Sequence, residues 1–205
     1  IKSYGYLASI LCSVSGGVCG ATDVANEIIT VTAERLAVSE LESAYSTDIK
    51  YANDILQQGF RTTVDILGDI SGIHLQKTAH GQGSPYIRGF TGFRNLFLVD
   101  GVRLNNSVFR EGPNQYWNTV DPFSIEKFEV VKGPTSVVYG SDAIGGTVNA
   151  LSHLQSLNDI AGNFTPTLLY RGSTAEQSHI LRAAFTQALT FDSAIAAGVT
   201  SKNFG

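Results

Sequence analysis

Hydrophobic and polar positions change texture twice along this chain. Behind Lys2 lies an uncharged stretch from Tyr4 to Val18, closed by the small residues Cys19, Gly20 and Ala21. That order predicts a secretory signal over 1–21, cleaved after Ala21. A membrane anchor is the competing reading, but it needs about 20 predominantly apolar residues, and Ser9, Ser13, Ser15, Gly16 and Gly17 dilute this stretch. Further on, Ile28-Ile29-Thr30-Val31-Thr32-Ala33 is β-prone. Glu34 to Tyr51 shows little sustained apolar periodicity, which predicts an extended arm on a mobile tether.

From Thr62 the pattern shortens. A hydroxyl residue three positions before Asp65 is a capping-box-like start for a short helix carrying Val64, Ile66 and Leu67, limited by Gly68 and Gly72. Ile73 and Leu75 alternate with His74 and Gln76 as a half-buried strand does, and Ala79 to Ser84 is expected to be a glycine-containing loop. Two apolar runs, Asn95 to Val99 and Val102 to Leu104, flank Asp100-Gly101, the pair suited to a tight hairpin with positive φ. Asp121-Pro122 has the form of an N-cap followed by proline at the first helical position. Phe128, Val130 and Val131 begin a strand ended by Gly133-Pro134, and this compact region closes near Leu151.

Beyond Phe164 the segments lengthen and alternate. Phe164, Pro166, Leu168 and Tyr170 share one face against Thr165, Thr167 and Arg171, with Leu169 out of pattern. Leu181, Ala183, Phe185 and Leu189 repeat this against Arg182, Thr186 and Thr190, and Ile195, Ala197 and Val199 begin a weaker third copy. Alternation over about ten residues marks a transmembrane barrel strand; a soluble β-sandwich shows it too.

Composition narrows the function. With 205 residues the chain holds one ordinary domain with something attached. Its net charge of -4 offers no broad basic surface, so nucleic acid is not an expected partner. Both cysteines, Cys12 and Cys19, fall in the signal, leaving no disulfide framework or cysteine metal site after cleavage. Ile1 stands where an initiator methionine is expected, which predicts that the sequence begins inside its coding sequence.

Candidate enzyme signals are weak. Gly140 to Thr147 has a phosphate-loop outline, but Gly146 occupies the lysine position, and the charge that meets phosphate is missing. Gly81-Gln82-Gly83 lacks the third glycine of a dinucleotide loop. His74, His80, His153 and His179 have no metal-binding helical spacing, so no metal or cofactor is expected, and no nucleophile-elbow sequence occurs.

Two passages decide between a barrel and a sandwich. The first is Pro85-Tyr86-Ile87-Arg88-Gly89-Phe90, running on to Phe97-Leu98-Val99-Asp100-Gly101-Val102-Arg103. The second is Ile125-Glu126-Lys127-Phe128-Glu129-Val130-Val131-Lys132-Gly133-Pro134, continuing Tyr139-Gly140-Ser141-Asp142-Ala143-Ile144-Gly145-Gly146-Thr147-Val148-Asn149. In this order they resemble the plug of TonB-dependent outer-membrane receptors over about Glu27 to Leu151. The resemblance implies an α+β plug, 34–151, inside a transmembrane barrel of about 22 strands, of which 163–205 supply the first antiparallel ones. The chain by itself is therefore not expected to form the transporter.

The same resemblance implies roles for particular residues. Glu27 to Ala33 resembles the TonB box, so Ile28, Ile29, Thr30, Val31, Thr32 and Ala33 are expected to bind TonB by strand addition. Arg88 and Lys132 are implied to face carboxylates on the inner barrel wall, with Glu129 beside them as a plug–barrel contact. Lysine stands where the family often has arginine, which predicts a looser contact without the bidentate fork. A solvated strand edge is the other reading of Glu129 and Lys132. Loops Lys77 to Ser84 and Val108 to Trp117 are implied to reach outward, making His80, Phe109, Arg110, Gln115, Tyr116 and Trp117 candidate substrate contacts; Tyr116 and Trp117 could instead only pack the plug against the barrel. The implied function is energised import of a scarce small-molecule or metal-chelate substrate across the outer membrane, whose lipid the barrel faces. Siderophore iron leads among substrates, with haem, cobalamin and carbohydrate also open. A secreted soluble binding module is the main rival, and a signalling receptor is disfavoured because few residues separate Ala21 from Glu27.

Overall fold

The computed structural model describes residues 29–30, 38–39, 45–79, 81–105, 116–152, 164–174, 177–190 and 193–204. The expected signal over 1–21 lies outside them. Short strands β1 (Ile29–Thr30) and β2 (Val38–Ser39) pair antiparallel with each other, apart from the larger sheets.

Next come β3 (Ser46–Tyr51), helix α1 (Ala52–Gln58), helix α2 (Thr63–Gly68) and the strands β4 (Ile73–Ala79) and β5 (Gln82–Ile87). Strands β6 (Asn95–Val99), β7 (Val102–Arg103), β8 (Ile125–Lys132) and β9 (Gly146–Ser152) follow, with the short helix α3 (Ser136–Tyr139) between the last two. A mixed five-stranded sheet, ordered β3-β8-β9-β6-β7, forms the centre. Only β6 and β9 run parallel in it.

Pleating splits the sheet residues between two faces. Phe97, Phe128, Val130, Val148 and Ala150 meet Ile55 of α1, Val64, Ile66 and Leu67 of α2, and Ile87 of β5 in the main core. Leu96 and Leu98 take the other face, under Ala143 and Tyr139. Thr62 starts α2 as expected: its hydroxyl accepts the Asp65 amide at 3.3 Å and donates to the Asp65 carboxylate at 2.7 Å. The Asp100-Gly101 turn also forms, with φ of 50° and 79°, the double positive that this two-residue connection demands.

Three expectations are corrected. Ser46–Tyr51 is not tether but the edge strand β3, in register with Lys127–Lys132 of β8. It carries no long apolar period because its hold on the sheet comes from ladder bonds and from the ion pairs Asp48–Lys132 and Lys50–Asp69, each at 2.6 Å. The expected loop Ala79 to Ser84 is mostly hairpin, since Gln82 already pairs with Ala79 and Gly83 with Lys77. Gly83 is needed there because a Cβ would come within 2.9 Å of Val64. Lastly, Asp121 does precede a turn with Pro122 at its start, but the turn is 3-10 (Pro122–Ser124) and its side chain makes no cap.

Strands β10 (Phe164–Ser173), β11 (Ser178–Thr190) and β12 (Ser193–Asn203) form a separate antiparallel meander. Register places Leu168, Ala183 and Val199 side by side, and Phe185 beside Ala197. Leu168, Val199, Leu181, Phe185, Leu189 and Ile195 are all exposed, whereas Arg171, Arg182, Thr200 and Lys202 alternate with them and are partly covered. The apolar and polar faces read from the sequence are therefore the open and covered faces of this sheet.

Candidate functional site

The covered face of the meander carries three cations, and two of them converge on one carboxylate. Arg182 of β11 donates through Nη1 to Asp121 Oδ2 at 2.8 Å, and Lys202 of β12 reaches Asp121 Oδ1 at 2.7 Å. Thr200, directly across from Arg182, donates its hydroxyl to the same Oδ2 at 2.6 Å and accepts from Arg182 at 2.9 Å. The Lys202 ammonium also lies 5.4 Å from the centre of the Phe123 ring. Burial alone would raise the Asp121 carboxyl; the bonds from Lys202 and Thr200 and the charges of Lys202 and Arg182 outweigh it and hold it below the ordinary carboxylate range. The third cation, Arg171 of β10, donates to the Phe60 carbonyl at 3.1 Å.

Sequence reasoning assigned Asp121 to helix capping and so missed this contact. Three basic residues on the polar side of the alternation, Arg171, Arg182 and Lys202, were the available signal, since a charge half-covered by an apolar domain needs a partner.

The two long motifs meet in space. Arg88, at φ 50°, turns its guanidinium over Gly133, where a Cβ would lie 2.9 Å from Nη1. Lys132, one residue earlier, binds Asp48 at 2.6 Å and donates to the Ser71 carbonyl at 3.1 Å. Glu129 is fully buried, with Lys127 at 2.6 Å. The solvated-edge reading of Glu129 and Lys132 is thereby corrected: β8 lies between β3 and β9 and is not an edge strand. Gly145 and Gly146 are packing positions rather than a phosphate cradle, for a Cβ at Gly145 would strike Asn95 and the Ile87 carbonyl.

The candidate substrate residues separate. His80, Phe109, Arg110 and Gln115 lie outside the described residues, as do Ile28, Val31, Thr32 and Ala33 of the TonB-box-like run. Tyr116 is exposed, but Trp117 beside it is 1% exposed and stacks on Phe97 with ring centroids 4.4 Å apart. Trp117 is thus a core residue of the sheet domain, which corrects its placing at the outer surface. On the other side of the segment 106–115, Asn105 accepts the Phe97 amide at 3.0 Å and donates to the Asn95 carbonyl at 2.8 Å. Both ends of that segment are therefore fixed to β6. Among the described residues no group of His, Cys, Asp and Glu is arranged to hold a metal ion.

A mixed-sheet α+β domain seated on the polar face of antiparallel strands, whose other face is apolar and open, defines a plug with part of a membrane barrel. Residues 39–147, more than half of the chain, match the TonB-dependent Receptor Plug Domain, and the chain belongs to that family. It is 35% identical over 130 residues to a vitamin B12 transporter, BtuB, of Vibrio vulnificus strain CMCP6, covering 62% of this chain and 21% of the relative. A second such transporter, from strain YJ016, is 33% identical over 127 residues. Among solved structures, the pyoverdine outer membrane receptor FpvA of Pseudomonas aeruginosa PAO1 matches with a TM-score of 0.68 at 20% identity, over 85% of this chain and 24% of that one. The alcaligin receptor FauA of Bordetella pertussis matches at 0.64 and 21% identity, over 84% and 29%. This chain spans about a fifth of the length of the B12 transporters it matches. These relatives are transporters and receptors, not enzymes.

Proposed function

We propose that the full-length receptor imports a metal-chelate solute across the outer membrane, with this plug gating the barrel lumen and TonB supplying the work. The observation that carries the reading is the seating of a family plug, through Asp121, on the polar face of strands whose apolar face is open. The relatives' names point to two chelate classes, siderophore iron and cobalamin, and both are too large to leak through a packed plug. In this reading the barrel faces outer-membrane lipid, and loop residues His80, Phe109, Arg110, Gln115 and Tyr116 contact the solute from above.

Energy enters at the other end. Ile28 to Ala33 offers main-chain donors and acceptors to the edge of a TonB sheet, and among the described residues Ile29–Thr30 pairs with Val38–Ser39 and not with the central sheet, which supports a segment that can be exchanged without opening the core. Arg88, whose guanidinium lies over Gly133, and Lys132, next to Gly133 in sequence, are candidates to meet wall carboxylates on later strands.

The experiment is uptake by cells expressing the full-length receptor, with labelled cyanocobalamin and labelled ferric pyoverdine as probes. Accumulation that stops when the proton gradient is collapsed or TonB is deleted supports the proposal. Receptor recovered in the soluble fraction, with binding and no accumulation, would favour the secreted binding module instead.

A further inference from the structure

The contact between plug and wall has the opposite polarity to the one that the motifs suggest. In it the plug supplies the acid and the wall the bases. We propose that Asp121 is the plug's ionic anchor on the barrel wall, a positioning residue that fixes how the plug sits against strands β11 and β12. This rests on the reading of β10 to β12 as barrel wall, given above.

An isolated exposed ion pair contributes little and would not carry the assignment. Asp121 differs in three respects. Both carboxylate oxygens are engaged, Oδ2 by Arg182 and Thr200 and Oδ1 by Lys202. The side chains are well covered, at 12% exposure for Arg182 and 23% for Lys202 and Asp121, so solvent screens them less. The donors also stand on two neighbouring strands in fixed register, Arg182 opposite Thr200, so a single carboxylate reads the geometry of the wall across its ladder.

Its place in the plug gives the anchor leverage. Asp121 accepts the Ser124 amide and hydroxyl at its carbonyl, 3.0 and 2.7 Å away, which fixes the turn leading into β8. Strand β8 is interior to the sheet and carries Phe128 and Val130 of the core. Holding Asp121 therefore orients the central sheet, not merely a loop. Val120, just before it, is tied to α2 by the Thr63 hydroxyl at 2.7 Å, so the same turn also fixes the helical layer.

Charge exchange in the full-length receptor tests this, read by hydrogen exchange of the amides of residues 120–126 and by the yield of assembled receptor in outer membranes. Asp121→Asn is nearly isosteric and should raise exchange there about tenfold or more, while the β4–β5 hairpin keeps its protection. Asp121→Arg alone should do worse, because it sets a third cation against Arg182 and Lys202. Combining Asp121→Arg with Arg182→Asp should return exchange to within about threefold of native, and should restore assembly if either single change abolishes it. Native exchange in Asp121→Asn, or a double variant no better than the worse single one, would overturn the anchor. Neither readout involves uptake, so the transport reading stands or falls separately.

Discussion

Trp117 lies flat against Phe97, their rings 24° from parallel and their centroids 4.4 Å apart, at the point where the segment 106–115 returns to the sheet. Stacking of this kind adds to the large area that two buried aromatics remove from water. Trp117→Ala is expected to destabilise the folded receptor by about 3 to 5 kcal/mol, in the range for deleting a buried aromatic. Tyr116→Ala, on the exposed neighbour, should cost under about 0.5 kcal/mol and act on solute affinity instead. Denaturant titration of both variants, with binding measured on the folded fraction, separates the two roles.

Acid should loosen the plug through Asp65. Burial pushes its carboxyl up, but bonds from Lys77 and Thr62 and the Lys77 charge more than compensate, so its pKa is lowered in the folded state. A lowered folded pKa contributes stability that is present above the unfolded value and is lost as pH falls below about 4. Asp65→Asn is expected to be less stable at neutral pH and to show a flatter stability profile below about pH 4. Unfolding midpoints between neutral and acid pH check both features. Thr62→Ala, which removes the cap, should cost about 1 kcal/mol.

Gly146 is where β9 slips between β6 and β8. A Cβ there would stand 2.7 Å from the Val131 carbonyl and 2.8 Å from Ile87 Cγ2, one of which is backbone within the ladder and cannot turn aside. Gly146→Ala is expected to cost about 1 to 3 kcal/mol by overpacking, measured as a lowered unfolding midpoint. Gly81→Ala, with open space around its Cβ position, is the control that should leave the midpoint unchanged.

Local chemistry was legible in the sequence wherever it acts within a few residues. Thr62 and Asp65 announce α2, Asp100-Gly101 announces its hairpin, and the alternation after Phe164 separates the two faces of the wall strands. What stayed hidden depends on long-range partners. Ser46–Tyr51 carries no pattern of its own because β8, some 80 residues on, makes it a strand. Trp117 looks like a surface aromatic until Phe97 covers it, and Asp121 looks like a cap until Arg182, Thr200 and Lys202 arrive from strands far along the chain. The family motifs gave the fold through resemblance, whereas the polarity of the Asp121 contact follows only from the way β11 and β12 meet the turn at Asp121.

Energy coupling through the TonB-box-like run separates a transporter from a binding module, and Val31→Pro in the full-length receptor tests it most directly. Proline removes one strand donor and fixes φ near -65°, which a paired strand tolerates poorly, while Val31→Ala keeps the backbone bond and should hurt far less. Whole cells are given labelled cyanocobalamin or ferric pyoverdine, and surface binding is measured beside energy-dependent accumulation. Energy coupling through this run predicts near-native binding for Val31→Pro with accumulation reduced to the level of cells lacking TonB. Normal accumulation in that variant, or binding lost in parallel with accumulation, would contradict it.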